Sequence, residues 1–89
     1  MAKKRRKLNK DFEKKIYTSK KNVELVLAKI YDIDDEDIQK EYMSAFNEVV
    51  LFYDELKINY EQQGFHENSE ELLTNYKNAF NLFESEFEI

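Results

Sequence analysis

The 89-residue chain contains no cysteine, proline or tryptophan, and it has one glycine and one histidine. Without cysteine it has no disulfide, no thiolate metal ligand and no cysteine nucleophile. A single glycine cannot build the Gly-rich loops that hold nucleotide phosphates. With no proline and 42% apolar residues, the composition favours long regular elements joined by short connections. We therefore predict one all-α domain with a modest core.

Groups suited to catalysis or metal binding are also few. The one histidine, His66, lies in a predicted loop, where we expect its ring to be solvated. Residues 32–37 carry five carboxylates in six positions, but as a calcium loop they place Asp37 where glycine is required and Met43 where a bidentate glutamate is required. We therefore expect no enzyme activity, no cofactor and no metal. No apolar run approaches the roughly 18 residues of a membrane span, so we expect none.

Three amphipathic patterns predict three helices. The first covers residues 10–31, and its polar segment 18–20 predicts a break or bend. The second covers residues 35–63 and is the longest, at about 40 Å. The apolar stripes consist of Phe12, Ile16, Val23, Val26, Leu27, Ile30 and Tyr31 in the first helix, Ile38, Tyr42, Ala45, Phe46, Val49, Phe52, Tyr53, Leu56 and Tyr60 in the second, and Leu72, Leu73, Tyr76, Ala79, Phe80, Phe83 and Phe87 in the third.

Capping residues predict where these helices begin and end. Asp34 or Asp35 can cap the second helix, and the other carboxylates of that segment interact favourably with its positive end. Gly64 follows the second helix, where a left-handed residue is favoured. Asn68 or Ser69 can cap the third helix, and Glu71 stands three residues after Asn68, as in a capping box.

Together these patterns predict an antiparallel three-helix bundle over residues 10–89, with a long central helix, preceded by a basic and flexible N-terminal arm over residues 1–9. We expect Phe46, Val49, Tyr53, Phe80 and Phe83 to be core residues. Most aromatic residues lie on the inward stripes, which favours core packing over a stacking platform for nucleic acid.

Charge divides the chain into two parts of opposite sign. Residues 1–21 carry ten Lys or Arg and two acids, a net charge of +8, whereas residues 22–89 carry a net charge of −13. The cations of the arm are candidates for nucleic-acid contacts through residues 3–10, by release of counterions: Lys3, Lys4, Arg5, Arg6, Lys7 and Lys10. The alternatives for the arm are an anionic surface or the protein's own acidic body.

A second candidate surface lies on the central helix, nearly opposite its apolar stripe. Leu51 and Ile58 are seven residues apart on this line, close to acidic side chains, and we expect both to be exposed. They are either scattered surface residues, a strip that faces a partner, or a homodimer contact. The candidate partner-binding residues are Glu48, Leu51, Asp54, Glu55 and Ile58.

The favoured function is that of a small, acidic, helical protein that regulates or inhibits a larger protein, which could itself bind nucleic acid. As a class analogy, small acidic helical regulators of phages and mobile elements act in this way. The alternative is an accessory protein of nucleic acid or ribonucleoprotein that binds through the basic arm. Absence of cysteine fits a reducing compartment, so we expect a cytoplasmic location, or a nuclear one in a eukaryotic source.

Overall fold

A computed structural model describes residues 7–88 of the chain. Within this range it has no β-strand and three α-helices: α1, Lys10–Tyr31; α2, Glu36–Gln63; and α3, Ser69–Glu86. The prediction of an all-helical protein is confirmed, as are the predicted bounds of α1. Helix α2 begins one residue later than predicted and ends at the predicted residue, just before Gly64.

Helix α1 passes through its polar segment without interruption, so the predicted break at residues 18–20 is wrong. The Ser19 hydroxyl donates a hydrogen bond to the Lys15 carbonyl at 2.9 Å. This bond satisfies the hydroxyl within the helix, and Ser19 can therefore be buried. At its start, α1 is capped by Asn9, whose side chain accepts a hydrogen bond from the Phe12 amide.

The connection between α1 and α2 is held by two polar side chains. The Asp35 carboxylate accepts hydrogen bonds from the amides of Asp37 and Ile38, which confirms Asp35 as the cap of α2. The Gln39 side-chain amide lies 3.2 Å from the carbonyl oxygens of Ile30 and Tyr31, at the end of α1. The last carbonyl groups of one helix therefore accept hydrogen bonds from a side chain near the start of the next.

Loss of the Asp35 cap should lower stability measurably. We expect Asp35→Ala to lower the free energy of unfolding by about 0.5–2 kcal/mol, because two amides of the first turn lose their acceptor. Asp35→Ser should retain most of the stability. Asp34→Ala is the matched control, since the same charge is removed from an exposed neighbour. Urea denaturation followed by circular dichroism measures all three variants, and an equal effect of Asp34→Ala and Asp35→Ala would contradict the assignment.

The connection between α2 and α3 begins at Gly64, whose φ angle of 73° is the left-handed value predicted there. The predicted capping box at the start of α3 does not form, because the Asn68 side chain makes no capping bond. Instead, the Ser69 hydroxyl accepts a hydrogen bond from the His66 amide at 2.9 Å. Ser69 thus closes the loop that precedes its own helix, and it is buried.

The core lies along α2, which both other helices contact. Its fully buried residues are Phe12, Val23, Val26, Ile30, Phe46, Val49, Tyr53, Leu56, Leu73, Tyr76 and Phe83. Of the residues predicted to be core, Phe46, Val49, Tyr53 and Phe83 are confirmed. Phe80 is only half-buried, and it packs against this core at its edge.

Two residues of the predicted apolar stripes are exposed. Tyr31 is 69% exposed, because it is the last residue of α1 and lies beyond the region that α2 covers. Ile38 is also exposed, in the first turn of α2. Both lie at the connection between the two helices, where the helical period continues but no neighbouring element remains to pack against.

The described part of the predicted arm lies against the far end of α2. The Phe65 amide donates to the Lys7 carbonyl at 2.7 Å, and the Asn9 amide donates to the Tyr60 hydroxyl at 3.0 Å. The Tyr60 hydroxyl in turn donates to Glu13 at 2.6 Å. These bonds join the start of α1 to the end of α2.

The molecule is elongated, with principal extents of 56 × 22 × 18 Å. Helices α1 and α3 each pack extensively on α2 but touch each other much less. One link between them is a hydrogen bond from the Tyr76 hydroxyl to the Ser19 carbonyl, at 3.3 Å. A groove therefore remains open between α1 and α3.

Candidate interaction surfaces

The five candidate partner-binding residues all lie on the solvent side of α2. We call Glu48, Leu51, Asp54, Glu55 and Ile58 the α2 strip, and every member is exposed. Leu51 is 62% exposed and Ile58 is 52% exposed, as predicted. The helix places them there because the residues between them, Val49, Tyr53 and Leu56, turn into the core.

The α2 strip combines apolar side chains with carboxylates that form no ion pair with any residue the structure describes. Between residues 7 and 88, ion pairs join Lys21 to Glu24 and Lys57 to Glu61, and none involves the strip. A surface depression of about 400 Å³ is lined by Glu48, Leu51, Glu55 and Phe52. The α2 strip therefore presents apolar surface with an unneutralised acidic rim.

Two residues beside the α2 strip were missed by the sequence interpretation. Phe52 was assigned to the inward stripe, but it is half-buried and its outer side lines the depression. Leu82 on α3 is exposed and faces the same side of the molecule, where it lines a neighbouring groove with Phe52 and Glu48. Leu82 lies outside the apolar stripe of α3, and this was the signal that could have identified it.

A second surface, which the sequence did not predict, is the groove between α1 and α3. Its volume is about 570 Å³. The groove is lined by four lysines, Lys14, Lys15 and Lys29 from α1 and Lys77 from α3, and by one acid, Glu84. We call it the α1–α3 groove. The lysines are up to 63 positions apart in the chain, and only the side-by-side placement of the two helices brings them together.

The candidate nucleic-acid residues are only partly within the described range. Lys10 is exposed in the first turn of α1. The Lys7 ammonium lies 6.0 Å from the centre of the Phe65 ring, a cation–π distance. The predictions for Lys3, Lys4, Arg5 and Arg6 lie outside the residues that the structure describes.

His66 has a structural role in the loop rather than the solvated position that was predicted. It is half-buried, and its Nδ1 accepts a hydrogen bond from the Asn68 amide at 3.2 Å. Its Nε2 lies 2.6 Å from the Asn59 side-chain oxygen. With Nδ1 accepting, Nε2 carries the ring proton and donates to Asn59. One ring nitrogen is therefore bonded within the loop and the other to helix α2.

Two tyrosines of the core, Tyr53 and Tyr76, have a phenol pKa above the usual value, as expected for side chains that pack in a core. Burial raises the pKa of Tyr76 to about 12. Burial also raises the pKa of Tyr53, and the neighbouring Asp54 adds to this effect. Both phenols are therefore protonated at neutral pH, so they can donate hydrogen bonds but cannot act as bases.

Neither a metal cluster nor a membrane-spanning helix occurs in the part of the chain that the structure describes. Among residues 7–88, no group of three or more His, Asp or Glu side chains is placed to hold a metal ion. None of the three described helices is long and apolar enough to cross a membrane. No protein-family model matches the chain, and no curated protein or solved structure is significantly similar to it.

Proposed function

We propose that this chain is a small, non-enzymatic interaction protein that binds a larger protein through the α2 strip and thereby regulates or inhibits it. The observation that supports this most strongly is the exposure of two large apolar side chains, Leu51 and Ile58, among three carboxylates without ion pairs in residues 7–88. Apolar side chains at the centre of a contact contribute burial, whereas charges at its rim contribute steering and specificity.

The α2 strip fits a partner with an apolar depression surrounded by cations. Proteins that bind nucleic acid carry such cationic surfaces, and an acidic helix can compete there with phosphates. A two-fold homodimer through the strip is less favourable. The same surface patch would meet its own copy, which would bring Glu48, Asp54 and Glu55 close to identical carboxylates.

For the scaffold we propose an antiparallel bundle in which α2 lies between α1 and α3. The order of ring contacts along α2 and α3 supports this arrangement: Tyr42 contacts Phe87, Phe46 contacts Phe83, and Tyr53 contacts Tyr76. Residue numbers rise on one helix as they fall on the other. A rigid bundle of this kind holds the α2 strip in one conformation, which lowers the entropic cost of binding.

The second candidate function is nucleic-acid binding through the basic arm, with the bundle as a separate docking unit. The observation that favours it is the exposure of Lys10 and Lys14, which are four residues apart on α1 and continue the positive charge of the arm. The net charge of −13 over residues 22–89 opposes it. That charge repels phosphates beyond the reach of the arm.

An affinity pull-down from lysate of the source organism, with and without nuclease, distinguishes the two functions. We expect a protein partner that survives nuclease and is lost with the double variant Glu48→Lys and Glu55→Lys. The matched control is Glu67→Lys with Glu88→Lys, which makes the same change in net charge at exposed positions outside α2. Capture that depends on nucleic acid, or that both double variants weaken equally, would contradict the proposal.

A further inference from the structure

The α1–α3 groove has an apolar floor that no element between residues 7 and 88 covers. Phe80 is half-buried on this floor, Val26 lies buried beneath it, and Leu25 is 56% exposed at its edge. A leucine exposed beside a half-buried phenylalanine leaves apolar surface in contact with water. An occupant with apolar side chains would gain free energy by covering this surface.

The rim of the same groove is strongly cationic, although the body of the protein is acidic. Among the described residues that line the groove there are four lysines, Lys14, Lys15, Lys29 and Lys77, and one acid, Glu84. In the part of the chain that the structure describes, none of these four ammonium groups lies in an ion pair. An occupant that brings carboxylates could therefore form ion pairs with these ammonium groups.

The dimensions of the groove suit a helix. The lysines at residues 14–15 and at residue 29 are separated by about 21 Å along α1, or roughly four helical turns. Two helices that pack side by side on a third leave a position where a fourth helix can lie against both, as in four-helix bundles. Amphipathic helices commonly bind grooves of this kind through residues spaced by three and four.

We propose that the α1–α3 groove binds an amphipathic helix of a partner protein, with the apolar face of that helix on Leu25 and Phe80 and with acidic residues at its flanks. The four lysines form ion pairs with the acidic residues at the flanks of that helix. The apolar floor of the groove is buried beneath its apolar face. This site lies on α1 and α3, and it does not depend on the α2 strip.

A single-stranded nucleic acid fits this groove less well than an acidic helix does. Stacking requires aromatic faces open to solvent. The ring of Tyr76 is buried, with its hydroxyl bonded to Ser19, and the ring of Phe80 packs edge-on against Phe46. A phosphate backbone would meet the lysines but would leave the apolar floor uncovered.

Fluorescence anisotropy with synthetic helical peptides tests the proposal. The probe is a labelled peptide of about four turns, with leucines spaced by three and four and with glutamates at both flanks. A second peptide keeps the leucines and carries lysines at the flanks. We expect the full-length protein to bind the first peptide at least tenfold more tightly than the second.

Two protein variants locate the binding site. We expect Lys14→Glu with Lys77→Glu to weaken binding of the acidic peptide by about tenfold or more, equivalent to about 1.4 kcal/mol. Leu25→Glu should also weaken it. The matched control, Lys20→Glu with Lys40→Glu, makes the same change of charge at exposed positions outside the groove and should leave the affinity within about twofold. Circular dichroism confirms that each variant is folded, and nuclear magnetic resonance shifts of wild-type amides should map to α1 and α3.

Several results would overturn the proposal. These are equal affinity for the two peptides, an equal effect of the groove and control variants, or amide shifts confined to the α2 strip. Displacement of the acidic peptide by a labelled oligonucleotide at near-physiological salt would assign the groove to phosphate instead. Self-association that the Lys14 and Lys77 variant abolishes would make a second copy of the chain the occupant. The proposed function is tested separately, by variants of the α2 strip, so failure of the groove proposal leaves it standing.

Discussion

Replacement of Phe46 by alanine should remove a large fraction of the protein's stability. Phe46 is fully buried at the centre of α2, with 0% of its surface exposed. Its ring contacts Phe83 with centroids 4.8 Å apart and Phe80 at 6.2 Å. Removing a buried ring of this size costs about 3–5 kcal/mol. Small domains have a free energy of unfolding of about 5–15 kcal/mol, so this loss is a large fraction of the total.

Two further variants test whether the loss of stability depends on how deeply the side chain is buried. Phe80→Ala should cost less than Phe46→Ala, because Phe80 is only half-buried at the edge of the core. Leu51→Ala should change the free energy of unfolding by less than about 0.5 kcal/mol, since Leu51 lies in solvent on α2. The measurement is urea denaturation followed by circular dichroism. Equal effects at Phe46 and Leu51 would show that the assigned faces of α2 are wrong.

Reversal of charge on the α2 strip should slow binding to the protein partner. We expect Glu48→Lys, Asp54→Lys and Glu55→Lys together to reduce the association rate about tenfold or more at low salt, because these charges steer the encounter. The dependence of that rate on salt should become weaker. Stopped-flow mixing with the isolated partner at several salt concentrations measures both quantities.

Two controls accompany the charge reversal. A triple variant at Glu24, Glu67 and Glu88 changes the net charge equally at exposed sites outside the strip, and it should affect the rate much less. A chain that lacks residues 1–6 should retain most of its affinity for the partner. The deletion ends there because the Lys7 carbonyl accepts a bond from Phe65. If the deletion abolishes binding and the charge reversal does not, the contact lies in the basic arm and not in the α2 strip, and the proposed function is contradicted.

The helices were predictable because their signals are local. The apolar period of 3.6 residues identifies α2 through Phe46, Val49, Tyr53 and Leu56, whose spacing of three and four repeats without interruption. Asp35 and Gly64 act through bonds and backbone angles within one turn of their own positions. The exposure of the α2 strip follows from the same period, since it lies on the side opposite the stripe.

The misplaced residues depend on information that is not local. Ser19 interrupts the apolar stripe of α1 and was therefore predicted to break the helix. The sequence does not show that the Ser19 hydroxyl donates a hydrogen bond to the Lys15 carbonyl. Nor does it show that the Ser19 carbonyl accepts a hydrogen bond from the Tyr76 hydroxyl on α3. Tyr31 and Ile38 fit the apolar spacing of their helices, but both lie at the connection between α1 and α2, where their side chains are exposed. The α1–α3 groove depends on how closely α1 and α3 approach, which no periodicity in either helix specifies.

Photo-crosslinking from the α2 strip tests the proposed function most directly. A benzophenone amino acid in place of Leu51 should, after irradiation in lysate treated with nuclease, crosslink to one larger protein. The same group in place of Tyr31, which is exposed at the end of α1, should not capture that protein, and Glu48→Lys with Glu55→Lys should abolish the crosslink at position 51. Capture of the same set of proteins from both positions, or of nucleic acid alone, would contradict the assignment of the α2 strip as the binding surface.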